Sequence, residues 1–187
     1  MSTLQAYAND MLAVEREVHA ALDLQSMDDT VKRHPAATQL VARTKEVVER
    51  HITELQQVLQ RLGTRESVVK KAVGAALGVA AGLYARVRPD DQVSRMLRDD
   101  YTALTFTCVC YEMLHVTSLA LKDAPLADLA LAHLRDLTPI VMDLGDLLPG
   151  VVVDELAAEG KIGQDRSVVE QSVRNVRDAW SQSAAAH

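Results

Sequence analysis

Aromatic residues are scarce in this chain of 187 residues, at 3% of the total. Leucine, valine and alanine must therefore provide most of the packing, which favours helices packed against other helices. Hydrophobic residues make up 48% of the chain and charged residues 25%, a balance typical of a soluble domain with a real core. The composition predicts an all-α fold.

Positive charge is also in short supply, because the formal net charge is −6. A phosphate-binding face needs a local excess of lysine and arginine, so we expect no nucleic-acid partner. The two cysteines, Cys108 and Cys110, are two residues apart and would point to different faces of a helix. They fit reduced thiols in a cytoplasmic protein, and no signal segment is expected at the start.

Several catalytic motifs are missing. The sequence has no glycine-rich phosphate loop, no Cys-x-x-Cys and no serine in a strand-turn-helix elbow. A Cys108 nucleophile with His115 as its base is conceivable, but seven residues along one helix separate them by about 10 Å. Cysteine on an apolar helix face is more often a small core residue.

Apolar residues recur at intervals of three and four along four long stretches, which predicts four amphipathic helices. Pro35 suits the first turn of the second helix, and Gly63 suits its end. Pro139 should kink the fourth helix, and Pro149-Gly150 should interrupt it. The predicted helices span residues 3–24, 35–62, 89–124 and 125–148, and a last amphipathic helix spans 167–181.

Residues 68–87 differ in kind, since they combine alanine and valine with Gly74, Gly78 and Gly82. Glycines four residues apart form a smooth groove for close helix approach, a pattern called here the Gly-zipper. The uncharged run 72–85 is shorter than the roughly 20 residues that span a bilayer. We expect a crossover helix packed on the bundle or on a second subunit. Contact with a membrane surface, assisted by flanking basic residues, is the less favoured alternative.

Each of the four long helices places ionisable residues on or beside its apolar stripe. A buried charge without a partner costs several kcal/mol, so these groups need either one another or a metal ion. Hydrogen bonding among them could satisfy them all. The candidates are Glu15 on the first helix, His51 and Glu54 on the second, Glu112 and His115 on the third, and His133 and Asp136 on the fourth.

Three of these sets are histidine–carboxylate pairs three residues apart. Dinuclear metal sites inside four-helix bundles take carboxylates from each helix, with Glu-x-x-His pairs projecting inward. Oxygen and imidazole ligands suit iron or manganese. We therefore treat all seven residues as candidate ligands of a dinuclear iron or manganese centre.

These residues resemble those of the ferritin-like superfamily, in particular the small bacterial ferritin-like stress proteins. The similarity lies in Glu15 ahead of Ala20-Ala21-Leu22, in the run from His51 to Gln57 before Arg61-Leu62-Gly63, and in Glu112 with His115. It extends over residues 4–148. Gln57 stands where a full Glu-x-x-His pair would place its histidine, and Asp136 stands where a glutamate is usual.

The resemblance implies an up-down four-helix bundle over residues 1–160, with the Gly-zipper crossover helix at 68–87 and a C-terminal helix and tail at 161–187. It also implies iron handling or oxidase activity in a stress response. The alternative is a non-catalytic helical module whose buried Glu and His groups are structural. In either case we expect a homo-oligomer, with the Gly-zipper or the C-terminal helix meeting a second copy or another protein.

Overall fold

A computed structural model describes residues 1–64, 92–163 and 165–184, with side chains to residue 181, and these ranges form six helices and no strand. The all-α prediction is therefore confirmed. The helices are α1 (Thr3–Met27), α2 (Asp29–Lys32), α3 (Pro35–Arg61), α4 (Val93–Ala120), α5 (Ala124–Ala158) and α6 (Ser167–Ala184).

Local sequence signals account for most helix ends. Ser2 and Gln5 form a reciprocal capping box at the start of α1. Pro35 occupies the first turn of α3, as predicted, where its missing N–H costs nothing. Gly63 follows α3 with a φ of 73°, a left-handed conformation that favours glycine. The one-turn helix α2 was not predicted; Asp28 caps it through the backbone N–H of Thr30.

The four long helices pack as antiparallel neighbours around one apolar core. Residues that pair between two neighbouring helices occur in opposite order along those helices. Examples are Arg50–Asp136 and Arg61–Asp123 between α3 and α5, and Ser94–Glu155 and Tyr111–His133 between α4 and α5. Helices α3 and α4 consequently run in the same direction. The end of α3 and the start of α4 therefore lie at opposite ends of the assembly.

The predicted Gly-zipper crossover at 68–87 lies outside the described residues, as does the predicted start of the third helix at Pro89.

Helix α5 corrects one sequence-based expectation, because it continues without a break through Pro139 and Pro149. The interruption predicted at Pro149-Gly150 was wrong. A proline in a helix removes one backbone hydrogen bond and crowds the preceding turn. Buried Leu144, Val151 and Val153 on either side of Pro149 pack into the rest of the protein, and this packing keeps the helix continuous.

The C-terminal helix α6 is amphipathic, but its apolar side is only partly covered. Trp180, the single tryptophan of the chain, is 69% exposed. Ion pairs from Arg166 to Asp154 and from Arg177 to Asp146 attach α6 to α5. Beneath α6 lies an open, mainly aliphatic groove of about 880 Å³. The predicted role of this helix in partner contact stays a prediction.

Candidate functional site

A buried carboxylate from α1 lies at the centre of the core. Glu15 is completely buried, and its Oε1 accepts a hydrogen bond from the Tyr111 hydroxyl of α4 at 2.5 Å. The same oxygen lies 2.9 Å from Nδ1 of His51 on α3. The second oxygen, Oε2, is buried and has no hydrogen-bond partner among the described residues. Glu15 is thus held by two helices while half of its carboxylate is unpaired.

Two histidine rings from the neighbouring helices α3 and α5 stack beside Glu15. His51 and His133 are nearly parallel, with ring centroids 3.8 Å apart, and the Tyr111 ring meets both edge-on. Their outer Nε2 atoms face carboxylates, Asp136 at 3.3 Å from His51 and Glu54 at 2.6 Å from His133. We call this set the acid–histidine cluster: Glu15, His51, Glu54, Tyr111, His133 and Asp136.

The cluster has too few polar hydrogens for all of its hydrogen-bonding contacts while His133 carries a single ring proton. The Tyr111 hydroxyl has one hydrogen, donated to Glu15, so His133 Nδ1 at 2.9 Å must itself donate to the phenol oxygen. The contact between His133 Nε2 and Glu54 then needs a second proton. Burial, followed by the charge of His51, lowers the pKa of His133 and disfavours that doubly protonated ring. The cluster is therefore short of positive charge.

The other ionisable members reinforce this charge imbalance. Burial and the nearby Glu15 charge raise the pKa of Tyr111 well above its ordinary value, so the phenol keeps its proton. Burial raises the pKa of Asp136, but the hydrogen bonds from His51 and Arg50 together outweigh burial, so the net shift of this pKa is downward. Arg50 donates a hydrogen bond to the Asp136 carboxylate of the cluster.

The structure brings five of the seven predicted ligands together and leaves two outside. Glu15, His51, Glu54, His133 and Asp136 all belong to the cluster; the other two do not. Glu112 is exposed, so the expectation that it faces the core was wrong. His115 is half-buried, and its Nδ1 lies 2.8 Å from the backbone oxygen of Ala127, where it can donate to that oxygen.

Tyr111 takes the place that the sequence analysis gave to Glu112. Helix α4 is apolar on two faces, so hydrophobic spacing alone allows two positions for its buried stripe. The buried stripe includes the polar residues Thr107, Tyr111 and Ser118, which made it look less like a core face. Both hydroxyls of Thr107 and Ser118 bond to the backbone carbonyl four residues earlier. Tyr111 could have been identified by treating residues such as Thr107 and Ser118, whose hydroxyls bond to their own helix, as possible core residues.

No group of three or more histidine, cysteine, aspartate or glutamate side chains in the described part of the chain is arranged to hold a metal ion as it stands. The donors of the cluster are nevertheless oxygen and imidazole nitrogen, which suit iron or manganese. The unpaired Glu15 Oε2 is also an oxygen that is free to bind a metal ion. Metal binding would therefore require the histidine–carboxylate hydrogen bonds to open.

The thiol chemistry considered from the sequence gains no support. Burial, followed by the Glu112 and Glu15 charges, raises the pKa of Cys108 to about 11. A thiol with that pKa is almost fully protonated at neutral pH and is a poor nucleophile. Cys108 packs against the hydrophobic core as a half-buried apolar side chain.

A second buried acid was missed by the sequence analysis. Asp100 on α4 is 4% exposed and accepts a hydrogen bond from Gln25 Nε2 at 2.7 Å. Burial raises its pKa from the ordinary 3.8 to about 7, although the bond from Gln25 opposes this shift. Asp100 lies beside a small cavity lined otherwise mainly by aliphatic residues of α1, α3, α4 and α5.

No protein-family model, no curated protein and no solved structure matches this chain.

Proposed function

We propose that this protein is a ferritin-like four-helix bundle that binds iron or manganese at the acid–histidine cluster. Glu15, His51, Glu54, His133 and Asp136 are the proposed ligands, and each of these groups is a known ligand type for both metals. Glu112 is not among them because it is exposed. The three carboxylates would hold the ions and neutralise their charge.

The observation that carries this proposal is the unpaired oxygen of Glu15. A buried carboxylate oxygen without a partner costs on the order of 1–3 kcal/mol or more. Here it lies in a cluster with two further carboxylates, and the doubly protonated form of His133 is disfavoured. A cation would pair with this oxygen and offset the excess negative charge.

The direction of the helices supports the ferritin-like part of the proposal. In ferritin-like folds one long crossover joins the second and third bundle helices, which run in the same direction. Helices α3 and α4 run in the same direction here, and residues 65–91 connect opposite ends of the assembly. The ligands also come from three different helices, with Tyr111 supplied by the fourth.

Bound iron would supply redox chemistry with oxygen or peroxide, which fits a role in oxidative stress or iron handling. The protein's own residues would hold the ion and keep the site dry. The Tyr111 phenol keeps its proton at neutral pH and donates a hydrogen bond to Glu15, which fixes the orientation of that carboxylate. Arg50 fixes Asp136 from the solvent side.

A second candidate function is a non-catalytic helical module, and one observation favours it. Both ring nitrogens of His51 and both of His133 already have hydrogen-bonding partners. The cluster could thus serve only to fix the register of four helices, and the protein would then act through its surfaces. This reading leaves the unpaired Glu15 oxygen without a role.

Metal uptake separates the two candidates. Protein purified without an affinity tag and stripped of metal is titrated anaerobically with Fe(II) or Mn(II), and bound metal is measured by elemental analysis. We expect about two equivalents per chain for a dinuclear centre. Glu54→Gln should lose most of this uptake, because the amide removes a ligand charge while preserving the shape.

Glu112→Gln is the matched control, since it makes the same chemical change at an exposed site on α4. It should leave uptake unchanged. Wild-type protein that takes up neither metal contradicts the metal-binding proposal and leaves the structural one. Undiminished uptake in Glu54→Gln would show that the metal binds elsewhere.

A further inference from the structure

Helix α4 has a second apolar face directed away from the core. Along it, Phe106, Val109, Met113, Val116 and Ala120 alternate at intervals of three and four residues; we call this set the outer stripe. Its four large members are 40%, 47%, 48% and 60% exposed, in sequence order. The opposite face of the same helix carries the buried Leu104, Tyr111 and Leu114.

The outer stripe has the spacing of a coiled-coil seam. Alternating intervals of three and four keep apolar residues on one line along a helix, and such a line is normally covered by a second helix. Of the described helices, α4 alone is long and apolar enough to cross a membrane by length and composition. Both properties arise because α4 is apolar on two sides, only one of which faces the core.

We propose that two copies of this chain pair through their outer stripes in antiparallel orientation. Antiparallel seam packing places Phe106 opposite the partner's Val116, and Val109 opposite the partner's Met113. The two-fold axis then passes level with Tyr111 on the outer side of the helix. The contact is self-complementary, as a two-fold interface requires. This inference does not depend on metal binding.

The exposed area of the outer stripe fits a weak dimer. Its four large members expose roughly 350 Å² of mainly apolar surface per copy. Two copies together would bury about 700 Å² from these side chains, below the range of stable interfaces and within that of weak ones. Leu119 and Leu121 are also exposed, but each lies about 100° around the helix from the outer stripe, on opposite sides, so neither belongs to the seam.

Charge favours a second copy over a lipid surface. Glu112 is the only aspartate, glutamate, lysine or arginine between residues 101 and 121, and the whole chain carries −6. Membrane-surface helices depend on lysine and arginine to attract anionic lipid, and residues 101–121, which carry the outer stripe, contain none. A protein surface of the same apolar character is the better match.

Sedimentation equilibrium between roughly 1 and 100 µM tests the proposal. Wild type should form a dimer, and Met113→Glu should weaken dimerisation at least about tenfold, because it places a charge in the centre of the seam. The matched control is Met142→Glu, at a methionine on α5 that is 57% exposed against 48% for Met113, and it should leave the dimer unchanged. Circular dichroism checks that each variant keeps its helix content; Val116→Lys replaces Met113→Glu if it does not.

Glu112 gives a second readout that is specific to the antiparallel seam. The two Glu112 carboxylates would lie on the same side of the seam near the two-fold axis and repel each other. Glu112→Gln should therefore strengthen the dimer by about twofold at low salt. A monomeric wild type overturns the proposal, including one that instead binds anionic vesicles. A dimer that survives both Met113→Glu and Val116→Lys also overturns it.

Discussion

Replacing Glu15 with alanine is expected to cause the largest loss of stability of any single change in the acid–histidine cluster. The substitution leaves the Tyr111 hydroxyl and His51 Nδ1 without their shared acceptor in a fully buried site. Breaking a buried charged network in this way costs about 3–5 kcal/mol. For a chain of this size, the melting temperature of the metal-free protein should fall by roughly 6–20 °C.

Thermal melting followed by circular dichroism measures this effect. Glu112→Ala is the matched control: it removes the same side chain from an exposed helical site and should shift the melting temperature by less than about 2 °C. Equal melting temperatures for Glu15→Ala and wild type would contradict the buried network itself. Metal uptake, measured on the same samples, should also be lost in Glu15→Ala.

Asp100→Asn is expected to stabilise the protein, and more so as the pH rises. The folded-state pKa of Asp100 is raised from 3.8 to about 7 by burial, so folding favours the protonated acid. Stability from this group is complete below about pH 4 and is lost progressively as the pH rises to about 7. Three pKa units correspond to a gain on the order of 4 kcal/mol for the variant above pH 7.

Unfolding in denaturant at pH 5 and pH 8 measures this difference. The asparagine keeps an oxygen to accept the hydrogen bond from Gln25 Nε2, so the neutral contact survives. The neighbouring Asp99→Asn is the control, since Asp99 is partly exposed and bonds to Arg98. It should show a change below about 1 kcal/mol. A stability gain for Asp100→Asn that is the same at both pH values would contradict the raised pKa.

The sequence was most informative where a helix has one apolar face. On α1 and α3, spacing of three and four correctly placed Glu15 and His51 in the core, and on α5 it placed His133 there. In these helices every shift of the stripe would expose leucine or valine, so only one register is acceptable. The boundaries of α3 followed from Pro35 and Gly63, whose roles are local.

The sequence was least informative on α4, where both faces are apolar. Choosing the wrong face exchanged Tyr111 for Glu112 and hid Asp100. Only contact with α1 and α5 determines which side of α4 turns inward, and such contacts are not encoded in the spacing within one helix. Because α4 is apolar on two faces and only one of them turns inward, the other face leaves the outer stripe exposed.

The way the cluster is assembled also constrains the order of folding. The antiparallel pairs α1–α3 and α4–α5 each join long helices that follow one another in sequence, α1 and α3 with only the one-turn α2 between them, so both hairpins can form early from short-range contacts. The bonds from Tyr111 to Glu15 and from Glu54 to His133 join residues 96 and 79 positions apart, and each links one hairpin to the other. The cluster therefore comes into existence only when the hairpins dock. A nascent chain that has not yet made α5 has no His133 and no Asp136, and it cannot assemble the site.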